Sequence, residues 1–217
     1  ISGDVESITV TASGNAYGAY AYSESTIDAA MSGDISVEST VAGSAVGIGA
    51  DTSSDVTITG LNDLTVLANA GYATGIDAYD SSTIEVQMSG DITVSTAEGD
   101  AYGAIADYGS NVYITGAKAM DISATSGDAY GLYSTRGSLI SGDVEEITSA
   151  GDGYAYGIGA DRGGEIRIVL SGDVTAESTA VGAAVAIGAD TGGDVYVSGL
   201  QDLYATAETG AAMGIGA

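Results

Sequence analysis

Cysteine, proline, histidine, phenylalanine and tryptophan are all missing from the 217 residues, and lysine and arginine together number only four. Without cysteine there is no disulfide framework and no thiolate to act as ligand or nucleophile. Without proline nothing interrupts a backbone hydrogen-bond ladder, which suits a chain of strand and tight turn. With histidine gone as well, the usual general bases and nucleophile pairs are absent, and the sequence predicts no enzyme. Four cations against 30 acidic side chains leave a formal charge of −26. That excludes a nucleic acid gripped through its phosphates and disfavours an anionic lipid surface. No apolar run approaches the length that spans a bilayer. No signal peptide is recognisable, and Ile1 in place of an initiating Met predicts a mature product or an excerpt of something longer.

What the chain does have is periodic. The stretch Ala45-Val46-Gly47-Ile48-Gly49-Ala50 returns around positions 18, 75, 103, 131, 157, 186 and 214, at steps of 26 to 29 residues. Val46, Ile48 and Ala50 are expected to share one strand face at period two. A second marker, Ser-Gly-Asp, stands at 2–4, 32–34, 89–91, 141–143 and 171–173, with variants at 60–63, 116–121 and 199–202. It divides the chain into eight units: 2–31, 32–59, 60–88, 89–115, 116–140, 141–170, 171–198 and a shorter 199–217. A fixed period of this size is the signature of one supersecondary unit per repeat. Strong acidity can signal disorder, but regular Ile, Val and Tyr argue against it here.

Each unit holds three short alternating segments, such as Ile35-Ser36-Val37, the Ala45–Ala50 motif and Val56-Thr57-Ile58, and none has a helical period. The prediction is an all-β fold: a parallel β-helix (β-solenoid) of about eight coils of ~28 residues, with three short strands per coil. Coils spaced at ~4.8 Å would make a rod on the order of 40 Å long. Parallel crossovers predict a right-handed coil. Glycine and alanine in the interior predict a slim rod with closely approaching backbones.

A longer period overlies the short one. Shifted by 139 places, Ile1–Glu6 falls on Ile140–Glu145, and roughly half of residues 1–78 match 140–217. Five coils thus form a super-repeat within one continuous solenoid over residues 1–217. The array is expected to begin and end without polar caps, exposing strand edges to a continuation or to a neighbouring copy.

Asp4, Asp34, Asp63, Asp91, Asp121, Asp143, Asp173 and Asp202 read as turn carboxylates that bond nearby backbone N–H groups. A further acidic column, Asp51, Asp107, Asp161 and Asp190, is followed four residues later by Asp55, Asn111, Glu165 and Asp194. Asp51, Asp55, Asp107, Asp161, Asp190 and Asp194 are the candidate metal ligands, an oxygen set of the kind calcium takes. The alternative is a solvated acidic corner, since Tyr22, Tyr79 and Thr135 interrupt the column and no calcium-binding glycine-rich nonapeptide is present. Tyr17, Tyr102, Tyr130 and Tyr156 occupy equivalent positions and predict a stacked ladder. A regular threonine array for ice binding is broken by Ser36, Glu38, Ser123 and Ala124.

Ser-Gly-Asp-Ile-Thr-Val (89–94), Gly-Asp-Ala-Tyr-Gly (99–103) and Gly-Tyr-Ala-Tyr-Gly-Ile-Gly-Ala (153–160) resemble the passenger regions of bacterial autotransporters and related β-helical adhesins. The resemblance implies a right-handed parallel β-helix on a bacterial cell surface, serving as a stalk or adhesin, and carries over no catalytic residue. The family's membrane-embedded barrel is missing from these residues. The expected function is a rigid, acidic, extracellular stalk or self-assembling fibre segment whose partner is itself, by end-to-end stacking. A carbohydrate-binding adhesin module is the alternative, with Tyr20, Tyr79, Tyr108 and Tyr133 as contacts to surface glycans. A carboxylate-based polysaccharide hydrolase or lyase comes third.

Overall fold

The computed structural model describes residues 1–217. It is all-β, without a helix, and its parallel strands stack about 28 residues apart into a β-solenoid of about 8 turns. Three faces, A, B and C, run the length of the rod. Face A carries the strands Ile8–Ala12, Ile35–Ser39, Leu64–Ala68, Ile92–Thr96, Val174–Ser178 and Leu203–Ala207. Face B carries Ala16–Tyr22, Ala45–Asp51, Ala73–Ala78, Ala101–Ala106, Ala129–Thr135, Ala155–Asp161, Ala184–Ala189 and Ala212–Gly216. Face C carries Ser2–Val5, Thr26–Met31, Asp55–Leu61, Thr83–Met88, Glu165–Leu170 and Asp194–Ser198. Two long strands, Asn111–Ala124 and Leu139–Gly151, pass from face C into face A without a break and join the two into one 14-stranded sheet. Face B forms the separate 8-stranded sheet. With no helix present, none is long and apolar enough to cross a membrane.

Alternation sets which residues point inward. On face A the inward column begins Ile8, Ile35, Leu64, Ile92, Met120 and Ile147, and on face C it includes Val56, Ile84, Val112, Ile140 and Ile166. In the inner coils these side chains are fully buried, within one apolar cluster of 46 residues. No coil can build this interior alone, because each residue packs on its equivalents above and below. Residues 139 apart hold the same column: Ile8 with Ile147, Ala45 with Ala184, Leu64 with Leu203.

The Ser-Gly-Asp marker does not mean the same thing everywhere. Asp34, Asp63, Asp91, Asp173 and Asp202 sit at the corner leading into face A. There Oδ1 of one Asp accepts the backbone N–H of the next coil: Asp63 N–H to Asp34 at 3.3 Å, Asp91 to Asp63 at 2.8 Å, Asp202 to Asp173 at 3.0 Å. Ser2-Gly3-Asp4 and Ser141-Gly142-Asp143 instead lie inside face C, paired with Asp28–Ala30 and with Arg167–Val169. Asp121 lies one residue past Met120 on the outside of face A. Asp4, Asp121 and Asp143 therefore lie outside the turn column, although Asp143 Oδ2 still accepts a backbone N–H, that of Gly116 at 2.7 Å. The inward side chains decide the phase: Ile8 and Ile147 must fill face A, so Glu6-Ser7 and Glu145-Glu146 become the corner there.

The corner from face B to face C is built differently. Two residues turn it in the left-handed region, among them Ser23-Glu24, Thr52-Ser53, Asp80-Ser81 and Tyr108-Gly109. From Ser54 onward the serine that follows is buried, and its hydroxyl accepts the N–H of the equivalent serine one coil earlier. Ser25 bonds to Ser54, Ser54 to Ser82, Ser82 to Ser110 and Ser110 to Ser138, at 3.1–3.2 Å. Strand geometry cannot supply those N–H groups with carbonyl partners through the turn, so the hydroxyls do. Ser82→Ala orphans the buried Ser54 N–H and is expected to cost ~1–2 kcal/mol. That is a fall of roughly 2–8 °C in the thermal midpoint by circular dichroism.

Candidate functional site

Face B departs from simple alternation at its central glycine. Ala45, Ile48 and Ala50 belong to the core. A Cβ on Gly47 would lie 2.7 Å from Leu64 Cδ1 and 2.9 Å from Val66 Cγ2, so position 47 faces inward too. A Cβ on Gly49 would instead meet the Tyr20 ring and Val46 Cγ1, which places Val46 outside. Val46 and Ile48 thus lie on opposite sides, contrary to the expected period of two. The glycine kink puts two inward residues in succession and leaves outward positions three apart on the same surface.

Two outward columns result. One reads Tyr17, Val46, Thr74, Tyr102, Tyr130, Tyr156, Val185 and Met213. The other reads Tyr20, Gly49, Asp77, Ile105, Tyr133, Gly159, Gly188 and Gly216. Tyr102, Tyr130 and Tyr156 stack face to face, with centroids 4.9 and 5.5 Å apart and planes within 10°. The Tyr130 hydroxyl donates to Asp128 at 3.2 Å. Burial, then the neighbouring Asp carboxylates, pushes the Tyr102 and Tyr130 phenols well above their ordinary value, and burial with Asp51 and Asp77 pushes Tyr20 up to about 12. All three remain neutral hydroxyl donors across the physiological range.

The four tyrosines expected to contact glycans separate into two places. Tyr20 and Tyr133 belong to the outward column, where each ring leans over a glycine of the next coil, Gly49 and Gly159. Tyr79 and Tyr108 stand at the corner toward face C, edge to face at 5.0 Å. The Arg136 guanidinium lies 4.4 Å over the Tyr108 ring and 2.5 Å from Asp107, tying that corner together.

The candidate metal ligands do not converge. Asp51, Asp107, Asp161 and Asp190 share one column, but Tyr79 and Thr135 stand in the coils between the first three. Asp55 and Asp194 lie across the left-handed turn, at the start of face C. Each carboxylate of the column is engaged at its own corner. Asp51 accepts from the Thr52 hydroxyl, Asp107 from Arg136 and the Tyr108 N–H, and Asp190 from the Thr191 N–H, while Asp161 pairs with Arg162 at 3.3 Å. No three acidic side chains are grouped so that they could hold a metal ion. Calcium, which takes six to eight oxygens, finds no such set here.

One carboxylate missed by sequence reasoning stands apart. Asp77 points outward between Gly49 and Ile105 and accepts no hydrogen bond. Desolvation first, then repulsion from Asp51 and Asp107, raises it to about 6. Further along face B a trough of about 520 Å³ is lined by Tyr130, Tyr133, Tyr156, Asp161, Asp190 and Met213, among others. Its signal was the run of glycines at 159, 188 and 216, which became visible only once the register aligned them.

These features define a β-solenoid with one aromatic, acidic face. No family model, curated protein or solved structure matches the chain.

Proposed function

We propose that the chain is a structural, extracellular rod that extends by coil-on-coil stacking into an adhesive stalk or fibre. One observation carries the reading. The inward columns repeat from coil to coil, with Ile8 and Ile147, Ala45 and Ala184, and Leu64 and Leu203 in equivalent places. Parallel pairing between coils needs no other element, so a coil of one copy can continue the ladder and the core of another. The resemblance of the repeats to β-helical passenger regions supports a place on the bacterial surface.

Negative-stain imaging over a concentration series tests this. Filaments of constant width are expected, lengthening with concentration. Ile8→Lys places an ammonium in the junction and is expected to leave separate rods with unchanged circular dichroism. Separate rods of the native chain at every concentration would overturn the stacking mechanism.

A further inference from the structure

Face B differs from the other two faces in where its charge lies. The outward columns that begin at Tyr17 and Tyr20 hold a single carboxylate, Asp77, among tyrosines, aliphatic side chains and glycines. Acidic groups line both edges instead, with Asp100 and Asp128 at the corner from face A and Asp107 and Asp161 toward face C. An aromatic centre inside a charged rim is the anatomy of a protein–protein interface, where tyrosine is enriched. The eight strands, ~20 Å wide and stacked over ~35 Å, present roughly 700 Å², close to the ~800 Å² that one partner contributes to a standard interface. The chain has no cation of its own to spare for Asp77. Arg136 is held by Asp107, Arg162 by Asp161 and Arg167 by Glu165. Lys118 stands at the corner between faces C and A, where its N–H donates to the Gly90 carbonyl. Arg136 shows what a carboxylate on this side of the rod takes: its guanidinium spans Asp107 and the Tyr108 ring.

We propose that face B docks a basic protein partner, one of whose arginines seats on Asp77 while the flanking chain lies over Tyr102, Tyr130 and Tyr156. Neither Asp77 oxygen accepts a hydrogen bond, so a guanidinium can engage both in parallel, which an ammonium cannot. The carboxylate faces Asp51 and Asp107 from the coils on either side, and Arg136 is committed to Asp107, so a cation from outside relieves a repulsion that the fold leaves standing. The neutral phenols of Tyr102 and Tyr130 supply hydroxyls and ring edges for the rest of the contact. A charge of −26 steers a basic partner to the rod. An uncharged glycan would cover Asp77 and leave it unpaired. The inference goes beyond the stacking reading and stands whether or not rods associate.

Calorimetric titration of the native 217-residue protein with an octaarginine peptide tests it, alongside an octalysine peptide of equal charge and agmatine. Eight extended residues span ~26 Å, about five coils of the face. Saturable binding of octaarginine is expected at roughly 1–100 μM in about 0.15 M salt, with octalysine about fivefold weaker or worse. Asp77→Asn is expected to lose about tenfold and Tyr102→Leu about threefold, with thermal unfolding confirming that both variants are folded. Glu85→Gln removes the same charge from the outside of face C and is expected to lose less than about twofold. Because Asp77 titrates at about 6, a guanidinium seated on it displaces up to about half a proton at pH 6. That release is read by repeating the titration in buffers of different ionisation enthalpy, and it is expected to vanish in Asp77→Asn. Equal binding of the two peptides, with equal losses in Asp77→Asn and Glu85→Gln, would mean attraction to the whole acidic surface and overturn the docking face. No proton release at pH 6 would overturn Asp77 as the seat. Agmatine binding as tightly as octaarginine would overturn an extended interface, and absence of saturable peptide binding at about 1 mM would overturn the proposal outright.

Discussion

Gly103→Ala is expected to lower the thermal midpoint by roughly 6–12 °C, the equivalent of ~3 kcal/mol in a chain of this length. A Cβ at this position would lie 2.6 Å from the Gly131 carbonyl oxygen, 2.6 Å from Met120 Sδ and 2.8 Å from Ile122 Cδ1. The two side chains can yield. The carbonyl cannot, because it belongs to the neighbouring coil, whose position is fixed by strand pairing on all three faces. Relief therefore requires two coils to part locally, which weakens pairing and core contacts together. Gly214 in the last coil supplies the control, since it belongs to the same column and a Cβ there meets nothing within 4 Å. Gly214→Ala is expected to leave the midpoint unchanged or slightly raised. Ala186 holds the column in the seventh coil, where the strand beyond is the last and free to shift, so the cost is set by how firmly both flanking coils are held. Differential scanning calorimetry of the two variants separates this from a general effect of alanine. An equal fall for both would refute the close-approach argument.

The same glycine column explains what could be read from the sequence and what could not. Faces A and C were legible because their strands alternate plainly: Ile35-Ser36-Val37 and Val56-Thr57-Ile58 bury the residues that period two selects. Face B was legible as a strand but not in phase. Nothing in the one-dimensional pattern shows that Gly47 and Ile48 both turn inward, since that follows from backbone approach between coils. The surface consequence was hidden with it. Tyr17 and Tyr20 are three apart yet lie 4.9 Å from each other on one surface. Of the 14 tyrosines only Tyr113, Tyr196 and Tyr204 lie away from face B and its flanking corners. The Ser-Gly-Asp marker misled for a related reason. A tripeptide that serves as a corner at 32–34 also fits within a strand at 141–143, and only the demand that Ile147 fill face A tells the two apart. Asp77 carried no signal at all, because its burial depends on neighbours 28 residues away in either direction.

Asp77→Asn is the substitution expected to stabilise the rod most at neutral pH. The carboxyl is half-buried, takes no hydrogen bond, and faces Asp51 and Asp107 from the coils on either side, with Arg136 committed to Asp107 and the Tyr20 phenol neutral nearby. Its value of about 6 in the fold compares with 3.8 for the free side chain. Between those limits the folded state holds a proton that the unfolded chain has released, so stability falls as pH rises from 4 and the loss is complete above about 6. A displacement of that size corresponds to ~2–3 kcal/mol at pH 7.5. Asparagine keeps the shape and removes the charge. The variant is expected to melt roughly 4–12 °C above the native chain at pH 7.5 and to coincide with it at pH 3.5, where both carry a neutral side chain. Taking the difference between the two proteins at each pH cancels the titration of the other acidic groups. A constant gap across the range would mean that asparagine gains a contact of its own, and no gap at pH 7.5 would mean that water reaches the carboxylate freely. A gap opening between pH 4 and 6.5 would establish that face B carries an uncompensated buried charge, retained at a cost to stability.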